Sequence, residues 1–565
     1  MIVSKPAPDH PAAEHWQHPG RWNIDLPPLT LPQMFLDSAR AHPEAPLALF
    51  MGRRFTYAEL AREARRFAAG LAQRGIGKGN RVGLFLPNVP LYVSAYYGAM
   101  MAGAIAVNFS PLYTVEELAE QVEDSGIDLL VTLDSAALLP TAVKVLDASS
   151  LNGLVVGRLA DALPRVKSVA LRLLGRRQLS PVPKRPDVHS WSDLLAPHEA
   201  EPVTLDAETD LALLQYTGGT TGRPKGAMLT HQNLTANARQ VQAVDPFDDS
   251  VPDVIMGVLP MFHVFANTCV LNRTVLKGGC IAMLPRFDAG QALTLLAKSQ
   301  ATAFPGVPTM YQALLDHPDF DRTDFSSLRV CISGGAPMPA PVQEAFVAKT
   351  GARLVEGYGL TESSGVVSTN PYEGENRPGT IGQPIPATRV KLLDKEDPSK
   401  EAPAGEPGEL VLAGPQMMQG YWNRPDADEH VFVTHGNVRW LRTGDVAQID
   451  ERGYLCIVDR IKDMIAVGGF KVFPSRIEDV LLEHETVKEV LALGVPDEYR
   501  GEMPVAHVVL KPDAAATGAQ LAQWANARLG KHERLKEVVV REELPKTMIG
   551  KLDRKALRAE LLGRE

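Results

Sequence analysis

Leu60, Ala64, Phe67 and Leu71 recur at helical spacing behind Thr56 and Glu59, a pair spaced as a helix-capping box, and the pattern runs out at Gly75. Apolar runs alternate with stretches of this kind. Val82-Gly83-Leu84-Phe85-Leu86, Leu129-Leu130-Val131-Thr132-Leu133 and Leu211-Ala212-Leu213-Leu214 predict buried strands, and the texture returns at Val330-Cys331-Ile332 and Arg353-Leu354-Val355. Strands alternating with helices predict wound α/β layers over a largely parallel sheet. The uncharged stretch from Leu91 to Val107 approaches membrane-spanning length, about 17–25 apolar residues. Ser94, Gly98 and Gly103 interrupt it and Pro90 precedes it, so it predicts a buried helix followed by a strand.

From about residue 380 the pattern changes to short strand candidates separated by glycine and proline. Val390-Lys391-Leu392-Leu393, Gly408-Glu409-Leu410-Val411-Leu412 and Tyr454-Leu455-Cys456-Ile457-Val458 predict a smaller β-rich subdomain. After Asp459-Arg460 comes a last α/β segment of about a hundred residues. A length of 565 residues predicts several domains, and 45% hydrophobic with 22% charged residues argues against disorder. The net charge of −9 argues against a general nucleic-acid binder, so anionic ligands must be held by local donors. Cys269, Cys280, Cys331 and Cys456 lack the paired spacing of a zinc site or a disulfide framework, which fits a reducing cytosol. The stretch from Met1 to Trp22 has no apolar core of the signal-peptide kind, and Leu562-Gly563-Arg564-Glu565 is no peroxisomal address.

The run Thr217-Gly218-Gly219-Thr220-Thr221-Gly222-Arg223-Pro224-Lys225-Gly226 directly follows a predicted strand. Glycines let backbone N–H groups converge on an anion, while threonine hydroxyls and Lys225 add donors and charge. The run departs from the G-x-x-x-x-G-K-[ST] loop, because Pro224 and Gly226 flank the lysine where a helix would begin. A surface loop is the plainer alternative for this run taken alone. Ser333-Gly334-Gly335-Ala336-Pro337 and Glu356-Gly357-Tyr358-Gly359-Leu360-Thr361-Glu362 also follow predicted strands, where sheet-edge loops bind ligands. In the second, an aromatic can lie against a base, a hydroxyl can donate to phosphate and a carboxylate can hold magnesium. Asp445 ends Trp440-Leu441-Arg442-Thr443-Gly444-Asp445 on a turn suited to ribose hydroxyls, although a solvated turn aspartate reads equally well there.

Taken in order, these motifs resemble the adenylate-forming superfamily, which holds acyl-CoA synthetases, peptide-synthetase adenylation domains and beetle luciferases. The resemblance runs from about residue 30 to 560 and is nearest to bacterial medium- and long-chain fatty acid–CoA ligases. It implies an α/β fold with an N-terminal extension (1–30), an AMP-binding domain (31–460, with a β-rich subdomain at 380–460) and a small mobile α+β domain (461–565). It implies ATP and AMP contacts from Thr217–Gly222, Lys225, Gly334, Gly335, Ala336, Glu356, Gly357, Gly359, Asp445 and Arg460. Tyr358 would stack on adenine, Thr361 would touch the α-phosphate and Glu362 would bind magnesium. His263 and Val264 in Pro260-Met261-Phe262-His263-Val264-Phe265-Ala266, with Gly306, would line the acyl pocket, although a histidine among apolar residues is often only packed. Asn267 departs from the gating tryptophan of some long-chain enzymes, and no aspartate stands in this stretch to meet an amino-acid ammonium.

Val458-Asp459-Arg460-Ile461-Lys462-Asp463 and the residues to Pro474 look like the family's hinge, with Lys462 at the pivot and Gly468 and Gly469 beside the pantetheine tunnel. Lys551, in Leu544-Pro545-Lys546-Thr547-Met548-Ile549-Gly550-Lys551, matches the mobile lysine of adenylation. The implied reaction activates a fatty acid to acyl-AMP and transfers it to CoA, with magnesium as cofactor. Loading of an acyl carrier protein, ligation of an aryl or short-chain acid, a non-enzymatic fatty-acid-binding paralogue and luciferase-like oxygenation are the alternatives. The expected partners are fatty acid, ATP and CoA, without nucleic acid; a homodimer is compatible with the resemblance.

The segment from Arg165 to Arg185 carries seven basic residues and no acidic one. Val166, Val169, Ala170, Leu173 and Leu174 interleave with the charges. A basic amphipathic helix predicts contact with an anionic membrane surface, hence a cytoplasmic protein peripheral to the inner face of the membrane; a basic connector packed on its own domain is the alternative.

Overall fold

The computed structural model describes residues 15–175, 177–217, 224–247, 252–395, 397–468, 470–497, 499–547 and 551–561. Packing divides the chain into two units, Met1–Arg389 with Ala413–Val431, and Val390–Leu412 with Phe432–Glu565.

Among the described residues, the first unit holds two sheets. The seven-stranded sheet runs in the order Val188–Ser190, Leu154–Gly157, Leu129–Leu133, Arg81–Leu84, Ile105–Asn108, Leu211–Thr217, Lys225–Thr230, parallel throughout except for the last hairpin. Its strands are apolar runs because both faces are covered, and every residue of Leu129–Leu133 is buried. The nine-stranded sheet runs Gln383–Pro384, Ser368–Thr369, Arg353–Tyr358, Val330–Gly334, Ala303–Gly306, Val254–Gly257, Cys280–Met283, Pro46–Phe50, Arg53–Thr56. Its six central strands are parallel.

The capping box predicted at Thr56 is present. Glu59 N–H donates to Thr56 Oγ1 at 3.1 Å and Thr56 N–H to Glu59 Oε2 at 2.9 Å, opening the helix Tyr57–Ala72. The uncharged stretch becomes the buried helix Pro90–Met101 and the strand Ile105–Asn108. Pro90 starts this helix rather than breaking it, since its missing N–H has no helical partner at that position anyway. Tyr92 donates to Asn108 Oδ1 at 2.8 Å, and Asn108 Nδ2 to Gln215 Oε1 at 3.0 Å, which ties the helix to two sheet strands. Among the described residues no helix is long and apolar enough to cross a membrane.

In the second unit, Arg389–Leu393, Gly408–Ala413, Val438–Ile449, Phe432–His435 and Leu455–Arg460 form the β-rich sheet anticipated from the glycine-punctuated texture. A further sheet combines Phe470–Val472, Ile465–Val467, Gly501–Leu510, Val487–Asp497 and Glu537–Arg541. The helices Pro474–Leu482 and Gly518–Asn526 bury Ile477, Leu481, Leu521 and Ala525 against Val490 and Val508. Leu557 of the helix Arg554–Leu561 packs with Leu491 and Leu493. The domain boundary expected at 460–461 falls inside this unit. Ser475 bridges it, donating from Oγ to Val458 O at 2.6 Å and from its N–H to Asp459 Oδ2 at 3.0 Å.

Candidate active site

In the first unit the candidate residues gather at the C-terminal ends of parallel strands, where strand ends leave backbone groups unpaired within the sheet and loops can diverge. Thr217 and Lys225 face each other at the loop end of the hairpin Leu211–Thr217/Lys225–Thr230. The loop is therefore carried on a hairpin and no helix begins at the lysine. Gly218, Gly219, Thr220, Thr221 and Gly222 lie outside the described residues.

A segment from the far end of the unit runs beside the second strand of this hairpin. Met228 N–H donates to Gly420 O at 2.9 Å and Trp422 N–H to Gly226 O at 2.8 Å. That register sets the Tyr421 ring 5.3 Å from Lys225 Nζ, and the Tyr421 hydroxyl donates to Glu362 Oε1 at 2.6 Å. Burial, and next the Glu362 carboxylate, hold the phenol far above its ordinary pKa, so it stays a donor. Tyr421 is a site residue that the motif reading missed; the Gly-Tyr-Trp run beside Gly420 was the available signal.

Glu362 itself sits in a short 3-10 turn, Thr361–Ser363, fixed where Leu360 N–H donates to Ser363 Oγ at 3.0 Å and Met418 N–H to Glu362 O at 2.8 Å. Thr361 opens this turn, and Gly357 and Tyr358 end the strand before it, with Gly359 between. Glu356 is buried in the same strand, and burial raises its carboxyl to about 8 against a backbone hydrogen bond from Met338.

The strand Val330–Gly334 leads to Gly335, at φ +85°, and Ala336. A Cβ on Gly334 would stand 3.1 Å from the Phe265 ring, so the bare backbone lets the His263 segment close on the strand end. His263 caps a short helix, its Nδ1 accepting from Phe265 N–H at 3.4 Å. Val264 is buried, and Thr268 donates to Ser364 O at 2.6 Å, joining this segment to the 361–365 turn. Gly306 ends the neighbouring strand. Asn267 begins a π-helical stretch, Asn267–Asn272, and accepts from Tyr96 at 3.1 Å and from Asn272 at 2.9 Å. A cavity of about 20 Å³, lined in part by Val241, Cys269, Pro305 and Ile332, lies among these strands, with one wall formed by the buried ion network of Arg273, Asp253 and Arg329.

In the second unit Asp445 and Arg460 are paired across adjacent strands, with Arg460 Nε 3.0 Å from Asp445 Oδ1 and the aspartate buried. Lys551 belongs to the same electrostatic neighbourhood. Burial, and then Arg460, lower its ammonium to about 8, with Asp445 acting in the opposite direction. Lys551 N–H donates to Thr547 Oγ1 at 3.1 Å. Lys462 lies in the 3-10 turn Ile461–Asp463 that follows Arg460. Gly468 has φ +55°, and a Cβ there would meet no atom within 4 Å, so glycine serves a left-handed turn at this position. Gly469 lies outside the described residues. Among the described residues there is no cluster of three metal-ligating side chains.

Residues 35–422 match the family model described as AMP-binding enzyme, and residues 476–551 match that of the AMP-binding enzyme C-terminal domain. The chain is 39% identical to the long-chain-fatty-acid–CoA ligase of Bacillus subtilis over 541 residues, 95% of each chain. It is 41% identical to the Escherichia coli O6:H1 enzyme of the same name over 543 residues, again 95% of each. The crystal structure of ATP-bound MatB from Rhodopseudomonas palustris is similar with a TM-score of 0.80 at 29% identity, covering 94% of this chain and 99% of that one. The hairpin ending at Thr217 and Lys225, the turn carrying Thr361 and Glu362, and a match to the family along most of the chain lead to one conclusion: the chain belongs to the AMP-binding enzymes, the adenylate-forming superfamily that its motifs resemble.

Proposed function

We propose that this protein is a medium- to long-chain fatty acid–CoA ligase. The adenylation half of the reading is supported by the junction at Tyr421, which links Lys225 to the carboxylate of the 361–363 turn at one strand edge, and the fatty-acyl half by the likeness to long-chain-fatty-acid–CoA ligases. A fatty carboxylate is ionised near neutrality and needs no general base. It attacks the α-phosphorus of ATP, forming the acyl–phosphate bond while pyrophosphate leaves. The sulfur of CoA then attacks the acyl carbon as its thiolate, and AMP leaves with the bonding pair. Lys225 and the Thr217 hydroxyl would neutralise and orient phosphate, Thr361 would donate to the α-phosphate, Tyr358 would lie against adenine, and Asp445 with Arg460 would hold the ribose. Gly334, Gly335, Ala336 and Glu356 would frame the base, while His263, Val264 and Gly306 would border the acyl group. Lys551 would supply positive charge to the first half-reaction, Lys462 would be the pivot between the two, and Gly468 would border the pantetheine path.

Magnesium fits the site in the way it binds with few protein ligands. One half-buried carboxylate, Glu362, is oriented by a phenol and would hold the ion, while substrate phosphates and water would supply the remaining oxygens. Bound there, the ion would neutralise charge on the departing pyrophosphate. A cytoplasmic enzyme drawing its substrate from the inner face of the membrane is consistent with this chemistry. The test is formation of AMP and acyl thioester from ATP, magnesium, CoA and a ladder of fatty acids. A maximum at medium or long chains supports the reading; activity confined to aryl or short acids, or to an acyl carrier protein as acceptor, overturns it.

A further inference from the structure

The helix Arg165–Leu174 in the first unit is oriented against the usual rule. Val166, Val169 and Leu173 are 82%, 55% and 66% exposed, three of the eleven large apolar side chains exposed among the described residues. At about 100° per residue they fall within roughly 60° of one another, with Ala170 beside them. Among the helix's described side chains the half-buried ones are Ser168 and Leu171, on the opposite side. A surface helix ordinarily turns its apolar stripe to the core; this one turns it to solvent.

Basic groups border the stripe. Arg165, Lys167 and Arg172 are exposed on the helix, with Lys167 Nζ donating to Met51 O at 2.7 Å and Arg172 pairing with Asp161 at 2.9 Å. No acidic residue occurs from 165 to 185, in a chain whose net charge is −9. Next to the helix lies an open groove of about 530 Å³ lined by Arg53, Arg62, Arg66 and Arg165. Its three carboxylates are engaged within the protein: Glu63 accepts from Trp191 Nε1 at 2.8 Å and Ser94 at 2.7 Å, Glu59 accepts from Thr56 N–H, and Asp161 holds Arg172.

We propose that this helix and groove form a docking surface for an anionic phospholipid bilayer, the apolar stripe entering the acyl boundary and the arginines meeting headgroup phosphates. The inference deepens the fatty-acid reading, on which it rests only for its purpose, since long-chain acids partition into bilayers. Such docking depends on both charge and apolar area, so it should weaken with salt and with loss of either.

The test uses the full chain in co-sedimentation with phosphatidylglycerol-containing and pure phosphatidylcholine vesicles. Expected is salt-sensitive binding to the anionic vesicles, reduced at least tenfold by Val166→Asn with Leu173→Asn. Arg165→Glu with Arg172→Glu should reduce it by a similar factor. All variants should keep the wild-type melting temperature and wild-type CoA ligation of octanoate supplied in solution. Equal vesicle binding by wild type and variants, or none by wild type, overturns the proposal. Wild-type dimerisation abolished by the asparagine pair would instead assign the stripe to a second copy of the chain, and also overturns it. Failure of the thioester assay with every acid would sink the ligase reading without touching the vesicle result.

Discussion

The phenolic hydroxyl of Tyr421 donates to Glu362 at 2.6 Å, although 59 residues separate the two in the chain. The bond fixes one carboxylate oxygen while the ring faces Lys225. Partners that orient a metal-binding carboxylate typically change metal affinity by about 10–100-fold when removed. Tyr421→Phe keeps the ring and removes the bond, so half-saturating magnesium for adenylation should rise about tenfold while the fold is retained. Magnesium titration of pyrophosphate release checks it, and an unchanged midpoint would detach Tyr421 from the site.

Glu362→Gln keeps the shape of the side chain and removes its charge. Magnesium-dependent adenylation should fall steeply, while ATP can still be held by Lys225 and its loop. Comparing ATP binding by calorimetry with the adenylation rate separates these effects. Wild-type magnesium dependence in the variant would place the ion elsewhere.

Lys551→Ala should slow acyl-adenylate formation by on the order of a hundredfold or more, the usual cost of one lost transition-state contact, and leave thioester formation from supplied acyl-AMP largely intact. Equal loss in both half-reactions contradicts the role. Because burial lowers Lys551 to about 8, its charged form is lost as pH rises through that value. The adenylation rate should therefore fall above pH 8, while thioester formation gains from ionisation of a thiol with a pKa of about 8.5. Stability moves the other way. The unfolded chain binds more protons than the folded one between pH 8 and the ordinary lysine value, so this group makes folding more favourable as pH rises across that window.

Glu356 supplies a separate pH signature. Its folded pKa of about 8 lies above the ordinary 4.5, so between these values the folded state binds the extra proton and stability falls as pH rises. One such group changes the unfolding free energy by at most about 1.4 kcal/mol per pH unit. Glu356→Gln should flatten that dependence and stabilise the protein at pH 7–8, as read from urea midpoints between pH 5 and 8.5. Parallel wild-type and variant curves would count against a buried neutral carboxyl.

Local interactions explain why so much was legible. A capping box such as Thr56/Glu59 and an apolar run such as Leu129–Leu133 act over a few residues, and each formed the element predicted. The motif loops were likewise recognisable because their spacing is short. The sequence by itself determined these elements, the order of the loops and the family. Only the tertiary structure decided that Tyr421 meets Glu362, since that pairing depends on a strand register between residues 226–228 and 420–422. It also decided that the segment past residue 460 packs with the strands before it, through Ser475, and that the stripe on Arg165–Leu174 faces solvent. Periodicity says that a helix has an apolar face; which way the face points is set by what the rest of the chain packs against it.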